Sequence, residues 1–395
     1  MTMALEGLRM IDLTENLAGP FCSMLLADMG VEAIKIERLG VGDNTRGQAP
    51  QPNGFSLPFT MVNRNKKSLT VNLKDQRGQE IIRRLALTAD ILLENYRPGT
   101  MDDLGLGFAD LSPVNPRLIY ASISGFGQTS PYREQGGFDL IAQAMSGLMS
   151  VTGEPGQRPA KAGYPVTDLG TGMFGAYGVL CALQARERTG RGQHVDTSLF
   201  ECGVAWSVWQ SAKYLGTGEV PGPMGSAHPL SAPYQAVQAQ DKYFIIGAGN
   251  QRLFRSLCEL IGHPEWADDP RFATQPARME NQAELAGLLE TVFRTNTAEY
   301  WLGQLREAGI PCGPINNVAE MLADPHAIAR GMVVDIDHPV AGPTKVLGNP
   351  VKLSETPATI RQQAPKLGEH TDEVLTGLLG YSPGEIEVLR AERVI

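Results

Sequence analysis

Cysteine is sparse in this chain and never paired by spacing: Cys22, Cys181, Cys202, Cys258 and Cys312 are scattered, with no CxxC among them. An odd number of scattered cysteines excludes a disulfide-stapled scaffold and predicts reduced thiols in a cytoplasmic setting. The histidines (His194, His228, His263, His326, His338, His370) show no HExxH or other ligand spacing, so no metal site is expected. No GxSxG elbow marks Ser-His-Asp acyl chemistry. No GxGxxG follows the first β-like run, which continues as Thr14-Glu-Asn-Leu-Ala-Gly-Pro20. The later Gly172-Met-Phe-Gly-Ala-Tyr-Gly178 lies within a helical pattern, so a nicotinamide dehydrogenase is disfavoured. No run approaches the eighteen or so unbroken apolar residues of a membrane span. The first residues lack the cationic-then-apolar order of a secretory signal, so neither membrane nor export is expected. Surplus positive charge is missing as well: 34 Lys+Arg against 43 Asp+Glu leave −9. That balance argues against a general nucleic-acid binder, which must displace counterions from phosphates.

What is present suits a large globular enzyme. Of 395 residues, 42% are apolar and 19% charged, enough for a sizeable core and for two domains or one large one. The first half alternates β-like runs (8–14, 31–37, 68–74, 90–96, 118–124) with helical ones (19–30, 76–88), and two further helices are expected at 138–149 and 171–188. A strand at 193–198 follows, then a helix reaching residue 215. Such alternation predicts an α/β fold with a parallel sheet. The expected division is a large domain over 1–215, a turn-rich linker at 216–230, a smaller α+β domain over 231–325, a Pro/Gly-marked linker at 326–350, and a C-terminal part at 351–395.

Two features point to chemistry. Between residues 31 and 74 the seven cations Lys35, Arg38, Arg46, Arg64, Lys66, Lys67 and Lys74 face only Glu32, Glu37 and Asp43, a local +4. A phosphorylated ligand would account for that reversal, and a solvated basic face would do so about as well. Asp168 lies in Gly163-Tyr-Pro-Val-Thr-Asp-Leu-Gly-Thr-Gly-Met-Phe-Gly175, where a helix should begin. Spacing alone favours a helix N-cap at Asp168 or Thr167. The surrounding glycines equally admit a ligand or another helix at backbone distance, and a helix N-terminus would favour an ionised, nucleophilic carboxylate. Cys22 and Cys312 are weaker nucleophile candidates, since isolated cysteines are more often buried residues.

The ordered motifs of the chain resemble the class III CoA-transferases, the family of formyl-CoA:oxalate and carnitine CoA-transferases. The resemblance runs nearly end to end through Leu5-Glu-Gly-Leu-Arg-Met-Ile-Asp-Leu-Thr14, Val31-Glu-Ala-Ile-Lys-Ile-Glu-Arg38, Asn63-Arg-Asn-Lys-Lys-Ser68 and Glu94-Asn-Tyr-Arg-Pro-Gly99. It continues through the Asp168 segment, Thr189-Gly-Arg-Gly-Gln193, Gly309-Ile-Pro-Cys-Gly-Pro314 and Leu367-Gly-Glu-His-Thr-Asp372. It implies a Rossmann-like large domain formed from both chain ends, a smaller α+β domain and an interlocked homodimer. It makes Asp168 the nucleophile and reverses the preference for a cap. It also implies CoA contacts at Arg38, Val71, Lys74, Asn95, Tyr96 and Leu104. Where a family member carries a cation after the Asn-Tyr/Phe-Arg-Pro-Gly turn this chain has Asp103, which passes the pyrophosphate contact to Arg97. A glutamine of the formyl-CoA enzyme is replaced by Leu17, which argues against formyl-CoA and oxalate specificity.

The activity implied is exchange of CoA between two carboxylic acids, with succinyl-CoA as a donor and small dicarboxylates as partners. No cofactor beyond the transferred CoA, and no metal, flavin or nicotinamide, is implied. The α-methylacyl-CoA racemases resemble this chain too and share the aspartate, but their catalytic histidine is replaced here by Phe138, which cannot carry a proton and is counted instead among the CoA-binding positions. A non-catalytic CoA-binding module is a third reading, disfavoured by the intact nucleophile position.

Overall fold

The computed structural model describes residues 2–395. Six parallel strands, β1 (Arg9–Asp12), β2 (Glu32–Glu37), β3 (Lys66–Thr70), β4 (Ile91–Glu94), β5 (Ile119–Ser124) and β6 (His194–Ser198), form one sheet in the order β3-β2-β1-β4-β5-β6. This is the doubly wound arrangement expected from alternating strands and helices. The helices of this part are α1 (Ala18–Asp28), α2 (Leu57–Asn63), α3 (Gln76–Ala86), α4 (Thr100–Asp103), α5 (Phe108–Leu111), α6 (Asp139–Met145), α7 (Val166–Thr189) and α8 (Leu199–Ala205).

Strand alternation sends the two faces of the sheet into separate cores. One face buries Met10, Ile91, Ile119, Ala121 and Ile123 with Cys22 and Leu26 of α1 and Ala176 and Val179 of α7. The other buries Ile11, Ile34, Leu69, Leu92 and Tyr120 with Ile81, Ile82 and Leu85 of α3. Val374, Leu375, Ile386 and Leu389, from near the C-terminus, join that second core, so both ends of the chain build it. Helix α7 is long and apolar enough to cross a membrane, but half of its apolar window is buried inside the protein. Its glycines serve packing: a Cβ on Gly172 would lie 2.6 Å from the Ala18 carbonyl oxygen, and one on Gly170 2.3 Å from Trp206.

Two elements start earlier than expected. Strand β3 begins at Lys66 because that lysine, though charged, is fully buried and ion-paired, which apolar periodicity does not reveal. Helix α7 begins at Val166, five residues before the expected start, because its first turn is held by a residue from another helix rather than by a local cap.

The chain forms two compact units. One comprises residues 1–147, 162–206 and 325–395, and the other residues 148–161 and 207–324. The smaller unit therefore takes in a stretch before Lys161 and a helix, α9 (Val208–Thr217), that the sequence assigned to the large part. It holds the antiparallel strands β7 (Tyr234–Gln238), β8 (Tyr243–Gly247) and β9 (Cys312–Pro314) against helices α10 (Gln251–Leu260), α11 (Gln275–Glu280), α12 (Gln282–Phe293) and α13 (Ala298–Glu307), followed by α14 (Val318–Ala323). The stretch expected as a linker after residue 325 is structured. It carries α15 (Pro325–Ala329) and a hairpin of β10 (Val333–His338) and β11 (Gly342–Leu347), turning at Gly342 with φ +78°. Helices α16 (Thr371–Leu379) and α17 (Pro383–Ala391) close the chain.

Candidate active site

The strand order reverses between β1 and β4, and crevices form beyond the carboxyl ends of strands at such a switch point. A cavity of about 220 Å³ lies there. Asn16, Leu17 and Ala18 from the β1–α1 loop and Asn95, Tyr96, Arg97 and Pro98 from the β4–α4 loop line it. The rest of its wall is Ile123, Ser124 and Gly125 at the end of β5, Gln135–Phe138 before α6, Asp168 and Leu199. Gly125 and Gly137 touch backbone to backbone, since a Cβ on Gly137 would lie 2.3 Å from the Gly125 Cα.

Asp168 is not the helix cap. The N-cap of α7 is Pro165, so Asp168 stands in the first turn, and its carboxylate takes no hydrogen bond among the described residues. The capping is done by Asp139, the first residue of α6, whose Oδ1 accepts the Thr167 N–H at 3.0 Å and the Thr167 hydroxyl at 2.7 Å. Asp139 Oδ2 accepts from Gln143 Nε2 at 2.7 Å. Burial, and secondarily the charge of Asp139, push the Asp168 carboxyl up to about 7. Against the expectation that the helix terminus keeps this carboxylate ionised, burial works to hold its proton. The N–H groups of Val166 and Thr167 are already bonded, to Tyr164 O and Asp139, so neither is free to serve an oxyanion.

Asn95 joins the two loops: its Oδ1 accepts the Glu15 N–H at 2.9 Å and its Nδ2 donates to the Glu15 carbonyl at 2.8 Å. The Tyr96 N–H donates to Glu94 Oε2 at 2.8 Å, and burial pushes the Tyr96 hydroxyl up to about 12. Arg97 is exposed, without hydrogen-bonded or ion-pair partner for its side chain among the described residues. Phe138, 71% exposed, also lines the cavity.

The remaining expected CoA residues lie off this cavity. Arg38 is half-exposed and tied to Glu15 Oε1 at 3.0 Å and to Asn44 Oδ1 at 2.7 Å. Val71 is 1% exposed inside the core, so its side chain is closed to any ligand. Leu104 packs against the same core, and Lys74 is exposed.

Five of the seven cations between residues 31 and 74 are held in ion pairs, buried or half-buried, so of that local excess only Arg38 and Lys74 are exposed enough to meet a phosphate. Lys35 pairs with Asp43, Arg46 with Glu37, Arg64 with Asp28, Lys66 with Asp12, and Lys67 with Glu32 and Glu373. Several of those carboxylates come from outside the counted window. Among the seven, Lys74 has no ion pair among the described residues; it, Arg38, Arg97 and Arg133 are exposed cations near this end of the sheet.

A second cavity of about 260 Å³ shares Arg97 and contains Glu94, Asp102, Ser122, Gln128, Arg133 and His194. Ser122 Oγ lies 2.9 Å from His194 Nε2, and burial pushes the Glu94 carboxyl up to about 7. Neither candidate cysteine is poised as a nucleophile: Cys22 is fully buried and burial raises its thiol, as it does that of Cys312. No cluster of three or more metal-ligating side chains occurs among the described residues. Residues missed at the sequence level include Asp139 and Asn16, the latter left-handed at φ 67°. Gly125 and the Gly136-Gly137 pair were the available signal for a close backbone approach.

The sequence model of CoA-transferase family III matches residues 5–371. The chain is 44% identical over 367 residues to acetyl-CoA:oxalate CoA-transferase of Acetobacter aceti, covering 92% of this chain and 93% of that one. It is 40% identical over 392 residues to succinyl-CoA:glutarate CoA-transferase of Mus musculus, covering 99% and 90%. Among solved structures it matches a CAIB/BAIF family protein from Brucella suis with a TM-score of 0.85 at 39% identity, over 96% of this chain and 100% of that chain.

Proposed function

Because the chain belongs to CoA-transferase family III, we propose that it moves CoA between two small carboxylic acids through covalent intermediates on Asp168. The observation that carries this reading is the Asp168 carboxylate itself: unbonded, desolvated and lining the cavity at the switch point of the sheet. Asp168 is the one acid among the described residues lining that cavity, and the neighbouring Asp139 is engaged with Thr167 and Gln143.

The ionised Asp168 attacks the donor thioester carbonyl, expelling CoA thiolate and leaving a mixed anhydride. The thiolate attacks the Asp168 carbonyl carbon, releasing the donor carboxylate and forming an aspartyl-CoA thioester. The acceptor carboxylate attacks that thioester and again expels thiolate, which then cleaves the new anhydride at the acceptor's carbonyl. Asp168 returns to carboxylate and the thioester energy is conserved without ATP. Desolvation raises the energy of the resting carboxylate, which favours its reaction as a nucleophile.

CoA lies, in this proposal, with its thiol end at Asp168 and its phosphates toward Arg97, Arg38 and Lys74, while Asn95, Tyr96 and Phe138 line its path and Val71 and Leu104 contribute backbone and packing. Succinyl-CoA as donor and a dicarboxylate such as glutarate as acceptor are supported by the mouse relative. An interlocked homodimer is supported by the uncovered apolar side chains Met173, Tyr177 and Leu180 on α7 and Leu140, Ile141 and Met145 on α6. Sedimentation on dilution tests it, with compact folded monomers as the contrary result. Five free cysteines suit a cytoplasmic setting.

The deciding experiment is Asp168→Asn. The variant should fold and bind CoA yet fail to transfer CoA from succinyl-CoA to glutarate, since an amide cannot form the anhydride. Wild-type protein given succinyl-CoA alone should show a CoA-sized adduct on the Asp168 peptide that borohydride reduces. Transfer by Asp168→Asn at near wild-type rate would overturn the mechanism.

A further inference from the structure

Two fully buried lysines grip the β1–α1 loop without reaching the cavity it lines. Lys66 Nζ lies 2.8 Å from Asn63 Oδ1, 3.1 Å from the Pro20 carbonyl and 3.1 Å from Asp12 Oδ2. Lys35 Nζ lies 2.7 Å from the Thr14 carbonyl and 2.8 Å from Asp43 Oδ2. Thr14 and Pro20 are the two ends of one hook of chain. The same carboxylates add further ties: Asp12 accepts the Thr14 N–H at 3.0 Å and the Thr14 hydroxyl, and Asp43 Oδ1 accepts the Asn16 N–H at 3.2 Å, while Asn95 holds the Glu15 backbone from the other side. The hook is closed tightly, for a Cβ on Gly19 would lie 2.4 Å from the Thr14 side chain. Its middle residues, Asn16, Leu17 and Ala18, form the wall of the cavity that also holds Asp168.

Burying two ammonium groups is expensive, and well-packed apolar residues of similar volume often replace such pairs without loss of stability. What the lysines add is donors that hold loop carbonyls within 3.1 Å from strands of the rigid sheet. We propose that Lys66, together with Lys35, is a positioning residue of the transfer site: the buried ion pairs set the loop from Thr14 to Pro20, and with it the wall that places the reacting acyl group against Asp168. This rests on the assignment of Asp168 as nucleophile. Reactions through a covalent intermediate tolerate little misplacement, and a shift of an ångström can lower a rate about a hundredfold.

The test is the paired variant Lys66→Met/Asp12→Asn, which removes the grip on Pro20 without stranding a buried charge. A control, Arg64→Met/Asp28→Asn, removes an equally buried pair (2.7 Å) whose residues line no part of the cavity. Both are assayed with succinyl-CoA and glutarate, alongside calorimetric binding of free CoA and thermal melting. The expected result is a kcat at least about tenfold below wild type for the Lys66 pair, CoA affinity within about threefold, and kcat nearly unchanged in the control despite a comparable loss of Tm. A smaller fall in kcat, or an equal fall in the control, overturns the proposal. If the Lys66 pair does not fold, Thr14→Val decides, because it loosens the same hook by removing the hydroxyl bond to Asp12 while leaving both ion pairs in place. There a drop in kcat of about threefold or more supports positioning and a smaller one refutes it. Transfer surviving in Asp168→Asn would instead remove the nucleophile assignment itself, so the two failures are distinguishable.

Discussion

Asp139 Oδ1 caps helix α7 from outside, accepting both the N–H and the hydroxyl of Thr167, and so places one carboxylate next to another at the start of that helix. The arrangement frees Asp168 from the capping role its position in the sequence suggests. It also adds a like charge to the desolvation that already raises the Asp168 carboxyl to about 7.

Transfer should therefore depend on pH. In the proposed mechanism the nucleophile is the carboxylate, so the rate should climb as pH rises and level off above about 7, with an unbound-enzyme rate near pH 5 down about a hundredfold. Between the ordinary carboxyl value of 3.8 and about 7 the folded chain holds a proton here that the unfolded chain has released. The stability tied to this proton is full below the lower value and lost as pH rises through the upper one. Asp168→Asn should accordingly melt higher than wild type at pH 8 and at the same temperature near pH 4. A variant that melts alike at both would contradict the raised carboxyl. Asp139→Asn, which keeps an oxygen for Thr167 but loses the charge, should move the acid limb of the rate profile downward by less than about one pH unit, since burial is the larger cause.

Arg97 and Arg38 should fail differently. Arg97 carries no ion pair among the described residues, so Arg97→Ala should raise KM for acyl-CoA about tenfold while stability stays within about 0.5 kcal/mol. Arg38→Ala also strips Glu15 of its cation, and Glu15 is tied to Asn95. It should weaken CoA binding and lower Tm together. Steady-state kinetics with matched melting curves distinguish the two, and identical behaviour would refute this division of roles.

Gly137 should tolerate no side chain. Its Cβ would stand 2.3 Å from backbone at Gly125, and backbone cannot swing aside as a flexible side chain can. Gly137→Ala should cost about 1–3 kcal/mol and reduce transfer by deforming the cavity wall. Gly163→Ala, where the added Cβ meets nothing within 4 Å, should do neither. A normal melting temperature for Gly137→Ala would disprove the close approach.

Proton exchange at the α-carbon of 2-methylacyl-CoA thioesters should be negligible, because Phe138, which lines the cavity, cannot carry a proton and the neighbouring Asp139 is held by Thr167 and Gln143. Incubation in deuterated water followed by mass analysis of the recovered thioester measures it. Uptake at turnover rates would favour the racemase reading.

Much of this protein was legible in order and pattern. Alternating strands and helices specify a parallel α/β sheet because side-chain periodicity is local, and each strand needs apolar residues on both faces. The motifs around Asn95, Tyr96, Arg97 and Asp168 single out loops that the sheet then gathers, since parallel strands deliver every carboxyl end to one edge. Charge was where sequence alone misled. Most cations of the basic stretch from residue 31 to 74 are ion-paired, some with Glu32, Glu37 and Asp43 of the same stretch and others with Asp12, Asp28, Glu15 and Glu373 from elsewhere along the chain. Likewise, the cap of α7 comes from Asp139, 28 residues before Thr167. Composition and spacing register a charge or an acceptor but not its partner, and burial makes the partner decide whether that group is a surface, a strut or a nucleophile. Those identities belong to the tertiary structure.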